Sequence, residues 1–212
     1  MLGLLASNPL AFLILMAGLV ISITVHEFAH AFSADKLGDP TPRSQGRVTL
    51  NPLAHLDPFG TILLIITGFG WGRPVEFDPY NLRDLRRDVL IIAAAGPISN
   101  ILLATLVALL TPILPFSPIV WNFLISINIT LAAFNLLPIH PLDGGKIFSS
   151  LLPRHLAYEY DAIFERYGFI ILLLLVFPIF GPRSGVSYFM TPVIDLISAG
   201  IYGLAQAVHT LF

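Results

Sequence analysis

The stretch Val89–Leu142, VLIIAAAGPISNILLATLVALLTPILPFSPIVWNFLISINITLAAFNLLPIHPL, runs for 54 residues without an Asp, Glu, Lys or Arg. A bilayer core takes roughly 20 apolar residues per helical crossing. The run is long enough for two crossings, and Pro112, Pro115 and Pro118 mark where the chain turns between them. It therefore predicts one span at about Val89–Leu110 and another at about Val120–Leu137. Residues 1–25 and Tyr167–Pro182 are also free of charge. The whole chain is 56% hydrophobic and 11% charged, with a mean hydropathy of +0.83. Soluble domains carry about 25% charged residues, so too little polar surface exists here for a water-soluble fold. The predicted class is an all-α polytopic membrane protein.

Working outward, a first span is expected at about Pro9–Leu37, closed by Gly38 with Pro40 beyond it. This segment has no basic flank and runs directly into His26 and Glu27, which argues for a retained span rather than a cleaved signal. Residues 39–60 read as loops, with one short strand at Arg47–Leu50. Thr61–Gly72 is apolar but too short to cross, and its glycine-rich end suits a re-entrant or interfacial element. Two further apolar segments follow, Tyr167–Phe180 and Val186–Phe212. The organisation expected is a membrane core over residues 1–155, the part that carries the chemistry-bearing residues, and C-terminal membrane helices over 156–212. In the last segment Asp195, Ser198, Tyr202, Gln206 and His209 form one polar stripe, which favours an amphipathic helix at the interface over a lining for a substrate entrance.

Charge placement predicts orientation. Lys36, Arg43, Arg47, Arg73, Arg83, Arg86 and Arg87 lie between the first two spans, and Lys146, Arg154 and Arg166 follow the third; Arg183 alone falls on the other side. By the positive-inside rule the first group is cytoplasmic. The N-terminus is then outside and, with five spans, the C-terminus inside. The net charge of −2 and the absence of a basic run give no sign of a nucleic-acid partner, and the absence of cysteine excludes thiolate metal sites. The lipid bilayer is the one partner that composition dictates.

The chemistry concentrates in His26-Glu27-Phe28-Ala29-His30, near the end of the first span. Residues four apart share a helix face, so both imidazoles can reach one metal ion with Glu27 beside them as a general base. A bland structural role competes, but ionisable groups inside a membrane are costly and mark functional sites. Catalytic zinc takes three protein ligands, so a third is required. Asp143 is the only acidic residue between Asp88 and Glu159, and it follows the third span toward the same side as the histidines. Gly144 and Gly145 would let its backbone come close. The alternative is that Asp143 merely caps a short helix starting near Gly144. Two histidines and a carboxylate also suit non-haem iron, although the adjacent Glu27 favours zinc hydrolysis. A zinc transporter or a proteolytically silent metal-binding membrane protein is the alternative from a different class.

Three blocks, His26-Glu27-Phe28-Ala29-His30, Ala95-Gly96-Pro97-Ile98-Ser99-Asn100 and Phe134-Asn135-Leu136-Leu137-Pro138 running on to Asp143-Gly144-Gly145, resemble the motifs of the site-2 proteases, in that family's order. Asn51–Pro58 and Trp71–Val75 resemble the linking region of its compact bacterial and archaeal members, and no PDZ or CBS module is evident. The resemblance implies a three-span core that cleaves transmembrane protein substrates with one Zn2+ per chain. It maps His26, His30 and Asp143 onto the zinc ligands, Glu27 onto the catalytic acid/base, and Asn135 onto a residue that holds substrate or the developing oxyanion. An Asn135 bonded only to helix backbone is the competing reading. His140 departs from the family, which often has Pro there, and so is an extra ligand candidate or a pH-sensitive neighbour. His55 reads as a loop-structuring residue. Gly96, Asn100 and the alanines around them read as a small-residue face that receives the first or third span. Arg47–Leu50 and Arg73–Phe77 are candidate edges for strand addition by an unwound substrate. A homo-oligomer or a regulatory membrane partner remains open.

Overall fold

The computed structural model describes residues 2–67, 70–113, 117–177 and 184–210. Gly68, Phe69, Pro115, Arg183 and the end of the segment Tyr167–Phe180, all used above, lie outside the described residues. The helices are α1 Leu2–Ser7, α2 Pro9–Leu37, α3 Thr41–Ser44, α4 Pro58–Thr67, α5 Leu85–Leu110, α6 Pro118–Asn135, α7 Asp143–Leu151, α8 Arg154–Val176 and α9 Gly185–His209. Four of them, α2, α5, α6 and α9, are long and apolar enough to cross a membrane, and the chain is a multi-pass membrane protein.

Local chemistry sets the helix ends. The Asn8 side chain accepts from the Ala11 N–H with Pro9 in the first turn, and Gly38 closes α2 in the left-handed region at φ 111°. Asp84 caps α5 by accepting from Arg87 N–H, which starts the helix four residues before the predicted Val89. Ser117 and Pro118 start α6, and it stops at Asn135 because Pro138 cannot continue it. Past α2, buried Asp39 accepts from Thr41, from the Asp78 N–H and from Asn81. Burial pushes its carboxyl up, but these donors prevail and hold it below the ordinary carboxylate range.

Helix α5 is central, packing against α2, α6, α7 and α9. Ala104 and Ala108 of α5, Ile125 and Ile129 of α6, and Ile201 and Ala205 of α9 form one core. Small residues permit this close approach, which is how helices associate in lipid. Gly18 of α2 faces Phe123 and Leu124 of α6.

Two expectations are corrected. First, Arg47–Leu50 is not a strand. The Arg47 side chain turns inward to donate to the carbonyls of Ala54 and Arg73, and Thr49 N–H bonds the Arg47 carbonyl, so the segment folds on itself instead of extending. Among the described residues the only bridge is the isolated antiparallel pair Leu56 and Gly72. It pairs Leu56, just ahead of α4, with Gly72 of the return segment Gly70–Phe77, and the Arg73 N–H donates to the His55 carbonyl beside it.

Second, among the described residues four helices, not five, are long and apolar enough to cross a membrane. Helix α8 starts in the polar stretch and carries Glu159, Asp161, Glu165 and Arg166. Asp161 bonds His140, and Leu172, farther along the same helix, packs with Leu137 and Ile139. Both parts of α8 thus lie against one loop at one end of the bundle. Helix α9 starts there too, with Val186 and Met190 in that same cluster, and ends where His209 Nε2–H donates to the Leu109 carbonyl at 3.3 Å. It traverses the bundle, so its C-terminal end lies opposite α8. Of the polar stripe, Tyr202, Gln206 and His209 line a groove between α5, α6 and α9, far from the histidines of α2.

Candidate active site

His26 and His30 face the start of α7. His26 Nε2 and His30 Nε2 are 3.1 Å apart, and Asp143 Oδ2 lies 3.1 Å from the first and 3.2 Å from the second. Among the described residues this is the one group of His, Asp or Glu side chains gathered closely enough to hold a metal ion. Asp143 is the first residue of α7, and Leu142, not Asp143, occupies the capping position. Its carboxylate is therefore directed at the imidazoles rather than spent on a helix end. The approach depends on Gly144, where a Cβ would collide with the backbone of Leu136 and Leu137.

The outer nitrogens determine what the inner ones can do. His26 Nδ1 lies 2.6 Å from Asn100 Oδ1, and His30 Nδ1 lies 2.7 Å from the Ile92 carbonyl. Asn100 Nδ2 donates to the Ser22 carbonyl and to Asn128 Oδ1, so its oxygen is the atom left to face His26. Both Nδ1 atoms must then be N–H donors, and in the neutral imidazoles that bind metals both Nε2 atoms present lone pairs. With a carboxylate oxygen beside them, three lone pairs converge without a donor between them, an arrangement that calls for a cation. Tetrahedral zinc with bonds near 2.0–2.1 Å would separate its ligand atoms by about 3.3 Å, close to the edges seen here. The donor set fits zinc, which His26, His30 and Asp143 would hold.

Asn100 thus orients a candidate ligand, a part that the small-residue reading of this face did not include. Asn100→Ala is expected to weaken zinc affinity about 10–100-fold, as loss of such supporting bonds typically does. A competition titration against a chelator of known affinity checks this; unchanged affinity would leave Asn100 as packing only.

Glu27 lies beside the cluster and lines a cavity of about 640 Å³ between α2, α6, α7 and the segment Gly70–Phe77. Most of its wall is apolar: Leu19 and Ile23 from α2, Leu131 and Phe134 from α6, Trp71 and Val75 from the return segment. Behind Glu27 sits Arg47, 2% exposed, with Nη2 3.9 Å from Glu27 Oε2. Burial lowers the Arg47 pKa from its ordinary value, against the opposing pull of Glu27. Through its carbonyl bonds this side chain ties the return segment to the neighbourhood of the base. The sequence reading had Arg47 in a candidate strand edge and among the basic residues of one face, not beside Glu27.

The sequence profile described as Peptidase family M50 matches residues 116–175. A protein of Bacillus subtilis (strain 168) named "Putative zinc metalloprotease YwhC" is 37% identical over 206 residues, covering 92% of this chain and 91% of that protein. The chain belongs to peptidase family M50, the site-2 proteases. A protein of Mycolicibacterium smegmatis named "Putative zinc metalloprotease Rip2" is 35% identical over 179 residues, covering 78% of this chain and 67% of that one. "Stage IV sporulation protein FB" of Bacillus subtilis is 26% identical over 151 residues, covering 66% of this chain and 51% of that one. No solved structure matches the chain.

Other histidines of this site-2 protease family member stand apart from the cluster. His140 Nε2 lies 3.0 Å from Asp161 Oδ1, and Ser149 donates to the other oxygen of the same carboxylate. His140 thus docks α8 on the loop that leads to Asp143. His55 is fully buried and bonds the Thr49 carbonyl through Nε2, in keeping with a loop-structuring part. Asn135 lines the cavity, but its Nδ2 donates to the Leu131 carbonyl one turn back on its own helix. The small-residue face of α5 receives α2, and Gly96 is the point of contact with both histidines.

Proposed function

We propose that the chain is a zinc metalloprotease that hydrolyses a peptide bond in or near a transmembrane segment of a membrane-protein substrate, with its active site toward the cytoplasm. The observation that carries this reading is the convergence of three lone pairs on His26, His30 and Asp143, with Glu27 beside them in an apolar cavity. Family membership and the names of the relatives above support it. Zinc bound there would polarise a peptide carbonyl and lower the pKa of water toward neutrality.

The side chains do the rest. Glu27 takes a proton from the attacking water and returns it to the leaving amine, the part of a general acid and base. Arg47 at its back limits where the carboxylate can swing. Asn135 lines the cavity, where its carboxamide would meet the developing oxyanion only after turning away from Leu131. A helical substrate must unwind before attack. The extended segment Arg73–Phe77 borders the cavity, and the Val75 N–H has no partner among the described residues, which supports strand addition there. Orientation toward the cytoplasm rests on the basic residues that flank the site end of α2 and α5.

The test uses the purified chain in lipid vesicles with a single-span reporter substrate. About one zinc per chain is expected. Its removal by 1,10-phenanthroline should stop cleavage, and its return should restore it. Stoichiometric zinc with no cleavage of any single-span reporter would support the silent metal-binding protein or transporter instead.

A further inference from the structure

Lys146 stands one helical turn beyond Asp143 on α7 and lines the same cavity. It is the only Lys or Arg among the described lining residues, and outside the metal and base cluster its polar company there is Thr130, Asn135 and Ser184. No carboxylate of the described residues pairs with it. Its ammonium instead lies 5.3 Å from the centroid of the Phe77 ring, which belongs to the extended segment lining the same cavity. The side chain thus reaches from α7 to the segment beside which an unwound substrate would lie. An aromatic face is a weaker partner for an ammonium than a carboxylate, and the difference grows where water is scarce.

We infer that Lys146 is a specificity-determining residue that recognises an acidic side chain on the substrate, close to the bond that is cut. The inference rests on the protease reading above and adds the substrate class. Three residues of helix separate Asp143 from Lys146 by about 4.5 Å along the axis, and an extended chain advances about 3.3 Å per residue. The acidic side chain therefore falls within about three residues of the scissile bond. On binding, the substrate carboxylate replaces Phe77 as the partner of the ammonium, and an apolar cavity gains one charged point that sets the substrate's register. A basic side chain at that place would meet an uncompensated like charge, which disfavours the wrong substrate more strongly than a neutral one.

The experiment compares single-span reporter substrates, in vesicles, that carry Glu, Gln or Lys at each position within about four residues of the mapped cleavage site. The parent should show, at one or two adjacent positions, a kcat/KM for Glu about tenfold or more above that for Lys. Lys146→Glu should invert that ratio, and Lys146→Met should bring it close to one, with zinc content per chain confirming that each variant retains its site. Equal Glu-to-Lys ratios in the parent and both variants would overturn the assignment. No cleavage of any substrate by the zinc-loaded parent would reject the protease reading itself, so the two failures are distinct.

Discussion

Glu27→Gln is expected to retain about one zinc per chain while lowering the cleavage rate about 10²–10⁴-fold. The substitution keeps the shape of the side chain and removes its capacity to accept and return a proton. Nothing in the metal cluster should change, because the three converging atoms belong to His26, His30 and Asp143 and not to Glu27. Arg47 loses the carboxylate 3.9 Å away but keeps its bonds to the carbonyls of Ala54 and Arg73, so the surrounding loop should hold its place. Zinc content and single-turnover cleavage of a transmembrane reporter, measured on the same preparations, give the two readings. Cleavage at the parental rate would remove Glu27 from the chemistry. Loss of zinc along with activity would make it part of the metal site instead.

Gly96→Ala should abolish tight metal binding without unfolding the bundle. A Cβ at this position would overlap His30 Nε2 and come within 2.6 Å of both Cε1 and Nε2 of His26. These are the atoms that must converge on the ion, and they have no room to retreat, since Asn100 and the Ile92 carbonyl hold the far side of each ring. Either the rings tilt or α2 and α5 move apart. Both responses spoil the 3.1–3.2 Å spacing of the three donor atoms. The expected loss of zinc affinity is about 100-fold or more, at the upper end of what disturbed supporting contacts cause. The overpacking itself should cost only about 1–3 kcal/mol of stability. Chelator competition and thermal unfolding of the metal-free protein separate the two effects. Parental zinc affinity in this variant would show that the helix pair can relax around a methyl group, and would argue against a tightly built site.

Much of the architecture was legible in advance because lipid leaves few options. Backbone polar groups in a bilayer must be satisfied within the segment, so charge-free runs of sufficient length become helices, and caps such as Asn8, Asp84 and Ser117 mark where they start. The apolar run Tyr167–Phe180 was the exception. Hydropathy registers its leucines, but whether such a helix crosses or lies along the surface depends on what its two ends touch. Here Asp161 and Leu172 both bind the loop around His140, contacts that no local pattern encodes.

The site divides along a similar line. His26, Glu27 and His30 could be read directly, because a helix places residues four apart on one face whatever else the protein does. Asp143 was a contest between metal and cap, and geometry assigned its carboxylate to the histidines. Asn100 and Arg47 were not legible as parts of the site. Each acts between distant parts of the chain, Asn100 by holding His26 of another helix and Arg47 by tying the Arg73 carbonyl while it faces Glu27. The sequence by itself thus determined the class of molecule, most of its long helices and the shared face of His26 and His30, all consequences of local periodicity and the demands of a hydrocarbon solvent. Only the tertiary structure decided which polar groups meet, because a hydrogen bond between distant residues depends on how whole helices pack, and that packing is a property of the folded bundle.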